Sequence, residues 1–201
     1  MVRITSIKIP KFSFHEPRKN FPKKSSRINK ERNFTLKFAR AYISQIVNVH
    51  RKTTKDKIDF AREIPINGFG IADFVSVSWN PRMIRGRRRP SNSDEFIIQA
   101  SPVVRAFEMK ISNWRKALLQ AHRYRYFADA SIVVIPSEKL KIAKSYIETF
   151  KKIKIGLWGF DPKSNRITII YTPRPKKPFK EKYKSHVIKL VSITFKSQHS
   201  F

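Results

Sequence analysis

Two acidic residues and one lysine carry the chemistry that this sequence offers most clearly. Glu108 and Lys110 flank Met109, and Asp73 lies earlier in the chain. On a β-strand, residues two positions apart project from the same face, so Glu108 and Lys110 would stand side by side while Met109 enters the core. Carboxylates are the ligands that hard divalent cations prefer. A lysine beside them can orient a water molecule, or deprotonate it if neighbouring charge lowers the lysine's pKa. These residue types suit metal-assisted hydrolysis of a phosphodiester.

The acid-x-Lys spacing is rare in this chain despite its many lysines. Only Glu108 and Asp161 have a lysine two positions later. The second triplet contains Pro162 and has the composition of a turn, so it lacks the strand geometry that aligns two side chains. For an isolated triplet, a surface ion pair along a strand is the better explanation. The surrounding sequence therefore has to decide between an ion pair and a site.

The charge balance indicates a polyanionic partner. Lys and Arg total 44 against 14 Asp and Glu, a formal net charge of +30. Such like charge destabilises a compact protein unless a partner neutralises it, and neutralised phosphates release condensed counterions. We expect nucleic acid, DNA before RNA, rather than acidic lipid; a second copy of the chain, as a homodimer, is a further candidate partner.

Other compositional features exclude whole classes of site. The chain has no cysteine, which excludes disulfides and thiolate metal sites. Its five histidines are scattered without the spacing of a structural zinc site. No stretch is long and apolar enough for a membrane helix, and the N-terminal residues lack a signal-peptide pattern. We therefore expect a cytoplasmic protein.

Hydrophobic periodicity predicts an alternation of helices and strands. Three helices are predicted, the first capped by Asn33 and the third by Ser137: 33–52, 113–128 and 138–150. The predicted strands are 60–66, 71–79, 95–98, 103–111, 130–136, 153–160 and 166–171, with one more plausible in 186–195. The order predicts an α/β domain with a mixed central β-sheet, parallel in its middle and flanked by helices.

Composition divides the chain into three parts. Residues 1–32 read as a mobile basic arm without fixed structure, rich in Lys, Arg, Pro and Ser, residues 33–172 as the folded domain, and residues 173–201 as a basic, proline-containing extension with a candidate strand. The basic tails would add phosphate contacts to those made by the central domain.

The sequence around the triplet resembles the PD-(D/E)xK nuclease superfamily. The resemblance covers roughly residues 60–170 and rests on 68–73 before the triplet and 114–124 after it. Gln120 and Tyr124 match the Gln-x-x-x-Tyr motif of RecB-like members, one helical turn apart. The resemblance implies a restriction-endonuclease-like fold and a Mg²⁺ or Mn²⁺ cofactor.

The same resemblance implies a role for each motif residue. Asp73 and Glu108 would bind the metal, and Lys110 would attend the attacking water. Gln120 would hold a metal-bound water or a phosphate oxygen, and Tyr124 would contact the nucleic-acid backbone. A solvated glutamine beside a half-buried tyrosine is the ordinary alternative for the last two residues.

The sequence departs from the superfamily pattern at two places. Ala72 stands where the first motif has proline, and the long interval between Asp73 and Glu108 requires an arginine-rich insertion between two strands. Glu63 is the better candidate for a third carboxylate ahead of Asp73, and Glu31 is the poorer one; ordinary surface roles remain open for both.

Basic side chains near the motifs are candidates for nucleic-acid binding because arginine forks suit phosphates. They are Arg82, Arg85, Arg87, Arg88, Arg89, Lys116 and Arg123. The arginine-rich loop would either grip the strand being cut or add only long-range attraction.

Three functions follow from these observations. The first is a metal-dependent nuclease that hydrolyses phosphodiester bonds in DNA, with endonuclease and exonuclease both open. The second is a catalytically silent nucleic-acid-binding module on the same fold. The third is a basic RNA-associated structural protein in which the triplet arises by chance.

Overall fold

A six-stranded sheet organises the part of the chain that the computed structural model describes, which is residues 26–54, 57–79 and 93–198. These residues form β1 Lys57–Ile66, β2 Gly70–Trp79, β3 Val103–Met109, β4 Ala130–Pro136, β5 Ile155–Asp161 and β6 Arg166–Tyr171. The strands lie in sequence order. β3, β4 and β5 are parallel, and the other neighbours are antiparallel. The mixed sheet with a parallel centre is thus confirmed.

Seven α-helices flank the sheet within the described ranges. They are α1 Ser26–Tyr42, α2 Asn48–Thr54, α3 Ser93–Ala100, α4 Trp114–Tyr124, α5 Leu140–Lys144, α6 Ile147–Ile153 and α7 Glu181–Gln198. A π-helical turn, Ile43–Val47, joins α1 to α2, and a 3-10 turn, Ser137–Lys139, precedes α5. None of the described helices combines the length and the apolarity needed to cross a bilayer.

An aromatic core fixes α1 across one face of the sheet. Phe34, Phe38 and Tyr42 recur every four residues and form one buried stripe. The ring of Phe38 lies 6.0 Å from that of Phe74 and 5.7 Å from that of Phe107. Each such buried ring contributes roughly 1.5–3 kcal/mol relative to an exposed one. The N-terminal turns of α1 are consequently held in a defined place beside the sheet.

The opposite face is covered by α4 and α7 together with α3, α5 and α6. Trp114, Ala117, Ala121 and Tyr124 form the buried face of α4. The two alanines let the helix approach β3 and β4 closely, and Asn113 caps it by accepting a hydrogen bond from the Lys116 N–H at 3.1 Å. All seven residues of β4 are buried, as its continuous apolar run predicted.

The first helix begins earlier than the sequence pattern indicated. α1 starts at Ser26, and Asn33 is an exposed residue inside it rather than its cap. Residues 26–32 of the predicted basic arm are therefore helical, and residues 1–25 lie outside the described residues. Tertiary ion pairs from Glu31 and Arg32 account for the earlier start, since they reach Lys110 and Glu63.

Two predicted strands are helices, so these two predictions are wrong. Residues 95–98 belong to α3, where Ile97 and Ala100 are buried three positions apart. Residues 186–195 belong to α7, which buries Val187, Ile188 and Val191. Buried residues three and four positions apart follow the helical period, which the short apolar runs also satisfy.

The predicted helix 138–150 is broken into three pieces. The 3-10 turn comes first, α5 ends at Lys144, and α6 starts at Ile147. Ser137 does not cap the first piece, because its hydroxyl is buried without a hydrogen-bond partner among the described residues. The interruption leaves Leu140 packed on Gly159, where a larger residue would collide with it.

Candidate active site

Strand pairing brings the two predicted metal ligands together. β2 and β3 pair antiparallel with Phe74 opposite Phe107. The same register carried one residue further sets Asp73 opposite Glu108. Directly opposite residues project from the same face of a sheet, so both carboxylates point to the side covered by α4. The site lies where β3 ends, at the carboxyl edge of the parallel strands.

Asp73 closes the ladder at the point where β2 and β3 separate. Its Oδ2 accepts a hydrogen bond from the backbone N–H of Met109 at 2.7 Å. The Met109 side chain itself is buried in the aromatic core, as its place between Glu108 and Lys110 predicted. The Asp73 carboxylate is thus fixed against the strand that carries Glu108.

Tyr124 holds the Glu108 side chain in place from α4. The tyrosine hydroxyl lies 2.5 Å from Glu108 Oε2 and 3.0 Å from the Ile71 carbonyl oxygen, so its one proton can be donated to either acceptor. Tyr124 and Glu108 are each 1 % exposed. The expected contact between Tyr124 and a nucleic-acid backbone does not fit this burial. Its position makes it a positioning residue for Glu108.

Lys110 contacts acids from two elements. Its Nζ lies 3.2 Å from Glu108 Oε1 and 3.6 Å from Glu31 Oε2. Its backbone N–H donates to the Val134 carbonyl at 3.1 Å, which continues the parallel pairing past the end of β3. Lys110 is therefore fixed at both its backbone and its ammonium group.

A third carboxylate, Glu31, reaches the site through its ion pair with Lys110, although the sequence ranked it below Glu63. Glu63 is exposed and pairs with Arg32 at 3.3 Å. Glu31 lies one turn before Phe34 on the stripe that packs on the sheet, and an acid that continues a buried helical stripe was the signal that could have found it. Both acids raise the pKa of Asp73 through their charge.

Burial and mutual repulsion raise the pKa values of both strand carboxylates. Burial is the largest cause for Glu108 and, with repulsion from Asp73, raises its pKa to about 7 against the opposing contacts of Tyr124 and Lys110. Burial likewise raises the pKa of Asp73 to about 6, although the Met109 N–H and Lys110 lower it. Positive charge close to the two carboxylates would stabilise their ionised forms. Lys110 supplies part of this charge, but both pKa values remain raised.

The charge around Lys110 does not meet the condition under which this lysine could deprotonate a water, which is a lowered pKa. Burial lowers the pKa of the ammonium, but Glu108, Asp73 and Glu31 together outweigh burial and raise it. Lys110 is consequently a protonated hydrogen-bond donor near neutral pH, suited to orienting a water or meeting negative charge on a phosphate.

Gln120 lies one helical turn before Tyr124, on the same side of α4. Its Oε1 is buried and has no hydrogen-bond partner among the described residues. Lys116 and Arg123 flank it on the exposed surface of the helix. The remaining predicted phosphate ligands, Arg82, Arg85, Arg87, Arg88 and Arg89, lie outside the described residues.

The oxygen donors at the site fit a hard divalent cation. Asp73 and Glu108 supply carboxylates, and Gln120, one helical turn before the Tyr124 that contacts Glu108, has an unpartnered amide oxygen on the same side of α4. Nowhere in the described ranges do three Asp, Glu or His side chains come together as a ready-made cation site. Mg²⁺ is commonly held by one or two carboxylates, with water and substrate oxygens completing its shell. The donor set therefore suits Mg²⁺ or Mn²⁺ in the presence of a phosphate substrate.

A basic groove adjoins the site along the carboxyl ends of β3, β4 and β5. It has a volume of about 630 Å³, and Ile111, the residue after Lys110, is part of its wall. Four lysines line it: Lys30, Lys37, Lys139 and Lys163. The sequence analysis missed them. Lys30 and Lys37 are seven positions apart and so share one helical face, but only the fold shows that this face borders strand ends.

Comparison with protein-family models, with curated proteins and with solved structures finds no match to this chain. The chain is an α/β protein with a six-stranded mixed sheet flanked by helices.

Proposed function

We propose that this chain is a metal-dependent nuclease of the PD-(D/E)xK type that hydrolyses phosphodiester bonds, with DNA as the preferred substrate. The observation that carries the proposal is the convergence of Asp73, Glu108 and Lys110 on one side of the sheet where β3 ends. Ligands of α/β proteins commonly bind beyond the carboxyl ends of parallel strands. The net charge of +30 suits the same polyanionic substrate.

Each residue has a distinct task in this proposal. A bound Mg²⁺ or Mn²⁺ would supply a Lewis acid at the phosphate and offset the charge of Asp73 and Glu108. Lys110, as an ammonium, donates a hydrogen bond to the attacking water or to a phosphate oxygen, where negative charge develops. Tyr124 keeps Glu108 from turning away, and Gln120 Oε1, which has no partner among the described residues, can accept a hydrogen bond from a water.

The basic groove gives the substrate a path away from the site. A strand whose scissile phosphate lies beside Lys110 would continue past Ile111 between α1 and the strand ends. Lysines on both walls would contact phosphates without demanding a particular base. The groove therefore favours a backbone-reading enzyme over one that recognises a short sequence.

A catalytically silent binding module is the second candidate. Lys110 contacts both Glu108 and Glu31, which partly balances the charge of the acids without any cation. A site of this kind could survive as a structural network after cleavage had been lost, while the basic surface continued to bind nucleic acid.

Cleavage and binding assays on matched variants separate the two candidates. Labelled single-stranded, duplex and branched DNA, with RNA of the same sequence, would be incubated with Mg²⁺, Mn²⁺ or EDTA. Asp73→Asn, Glu108→Gln and Lys110→Gln change the site. Glu148→Gln and Lys151→Gln change an exposed ion pair on α6 by the same charge.

The nuclease proposal expects metal-dependent cleavage that the three site variants lose and the two control variants keep, with binding retained. Binding without cleavage by the unaltered protein under every metal condition would instead establish the silent module. Absence of binding to any nucleic acid would exclude both.

A further inference from the structure

A second basic cleft lies at the opposite end of the parallel strands, where β4 and β5 begin. Ser131, Lys154 and Lys176 line it together with Arg125 and Arg174. β4 rises about 3.3 Å per residue, so its two ends are roughly 20 Å apart. The cleft is therefore separate from the site at Glu108. Its enclosed volume is about 20 Å³, room for little more than one water, so it suits the oxygen atoms of a single group held at its mouth.

The acids near this cleft are already engaged. Asp129 also lines it, but Asp129 Oδ2 accepts the Val104 N–H at 2.7 Å and pairs with Lys184 at 2.8 Å. Lys177, on the rim, lies 3.4 Å from Glu181. In the part of the chain that the structure describes, no carboxylate pairs with Arg125, Lys154, Arg174 or Lys176.

Helix ends offset only part of this positive charge. α4 and α6 both end at the cleft, and Arg125 donates to the Ile153 carbonyl at 3.2 Å. The C-terminus of a helix carries roughly half a negative charge. Two such ends supply about one negative charge against four cations, so helix capping alone does not explain the cluster.

The backbone holds the two lysines where their side chains face each other. Lys154 caps α6 in the left-handed region, with φ 58°, a conformation that usually selects glycine or asparagine. The Lys176 N–H donates to the Asp129 carbonyl at 2.9 Å. The contact with Lys176 lowers the pKa of Lys154, which is the response of an ammonium to a like charge beside it.

One cation–aromatic contact and one unpartnered hydroxyl complete the cleft. The Arg125 guanidinium lies 4.6 Å from the centre of the Phe179 ring, which fixes its plane. The Ser131 hydroxyl is fully buried and has no hydrogen-bond partner among the described residues. A buried donor without an acceptor is costly, and a bound oxyanion would supply that acceptor.

We propose that this cleft binds a phosphate group, with Lys154, Lys176 and Arg125 as its cationic ligands and the Ser131 hydroxyl as a neutral donor. The group comes either from a polynucleotide, as a terminal or backbone phosphate, or from a free phosphate or pyrophosphate ion. The inference is independent of the nuclease proposal, since it uses neither the acids nor the lysine of that site.

Thermal unfolding and calorimetric titration of the full chain with pyrophosphate test the cleft. Sodium chloride would be adjusted so that every pyrophosphate concentration has the same ionic strength. Lys154→Gly and Lys176→Gln remove the two ligands, and glycine at position 154 relieves the left-handed backbone, so a loss of binding there cannot come from a weaker fold. Lys141→Gln and Lys144→Gln on α5 are controls that remove the same charge from an exposed surface.

We expect at least a tenfold weaker pyrophosphate affinity in each cleft variant and no change in either control. Short oligonucleotides with and without a 5′-phosphate form the second arm. Cleft-dependent binding in either arm supports the proposal and identifies the source of the phosphate. Equal loss in cleft and control variants, or none in the cleft variants in both arms, would overturn it.

Discussion

Replacing Glu108 with glutamine should stabilise the metal-free protein above neutral pH. Glutamine keeps the shape of the side chain and removes its charge. Its amide NH₂ would donate to the Tyr124 hydroxyl, which would donate in turn to the Ile71 carbonyl already 3.0 Å away. Its amide oxygen would face Lys110, as Glu108 Oε1 does now. The Tyr124 hydroxyl and the Lys110 ammonium each keep a partner after the change.

The magnitude follows from the raised pKa of Glu108. The pKa rises from 4.5 to about 7 in the folded protein because the side chain is buried and Asp73 repels its charge. A raised pKa means that the folded protein holds the Glu108 proton more tightly than the unfolded chain does. The stabilisation from this proton is fully present below pH 4.5 and is lost as the pH rises through about 7. At about 1.4 kcal/mol for each pH unit, the loss is on the order of 3 kcal/mol. Glutamine does not titrate, so the variant escapes that loss.

Urea unfolding in EDTA between pH 5 and pH 8 measures this difference. We expect Glu108→Gln to exceed the unaltered protein by about 3 kcal/mol at pH 8 and by much less at pH 5. The exposed Glu148→Gln should show no such trend. A variant that is less stable at pH 8, or whose difference from the unaltered protein does not change with pH, would refute the electrostatic reasoning.

Four other changes test different parts of the account. Tyr124→Phe should cost about 1–3 kcal/mol in urea unfolding, and more at pH 8 than at pH 5, because ionised Glu108 loses its buried donor; an unchanged stability would contradict the contact. Calorimetric Mn²⁺ affinity should rise between pH 5.5 and pH 8, since Asp73 and Glu108, with pKa values of about 6 and 7, must first release protons. Gly159→Ala should lower the melting temperature by the equivalent of about 1–3 kcal/mol, because a Cβ there would overlap the Leu140 side chain. Lys30→Gln combined with Lys37→Gln should reduce the salt dependence of duplex binding by a slope of up to about 2; an unchanged slope would remove the groove from the substrate path.

The elements that the sequence predicted well have one strong local signal each. β4 is a continuous apolar run, and such a run fits a strand covered on both faces. α4 has Asn113 as its cap and a clear apolar face. The pairing of Asp73 with Glu108 was not visible in the sequence, but their membership of strands was, because each lies in an apolar alternation bounded by turn residues.

The two helices that were predicted as strands have a common physical cause. A short apolar run fits both the helical period of about 3.6 residues and the strand period of two. In α7 the buried residues Val187, Ile188 and Val191 follow a helix, yet the same stretch also alternates. Only packing against β1 and β2 decides between the two. Glu31 was ranked low for a similar reason. Its contact with Lys110 exists only because α1 packs across the sheet, which the local sequence does not show.

The same dependence on the fold explains what was missed around the site. The groove lysines come from α1 and from turns after β4 and β5, which only sheet topology brings together. The raised pKa of Lys110 could not be read from the triplet either, because three acids from three elements produce it.

The central claim, that Asp73 and Glu108 form a metal-dependent phosphodiesterase site, is tested most directly by one comparison. A labelled duplex oligonucleotide would be incubated with Mg²⁺ and either the unaltered protein or Glu108→Gln, and cleavage followed over time. The account predicts cleavage by the unaltered protein and a rate lower by roughly a hundredfold or more in the variant. Equal cleavage by the two proteins would contradict it.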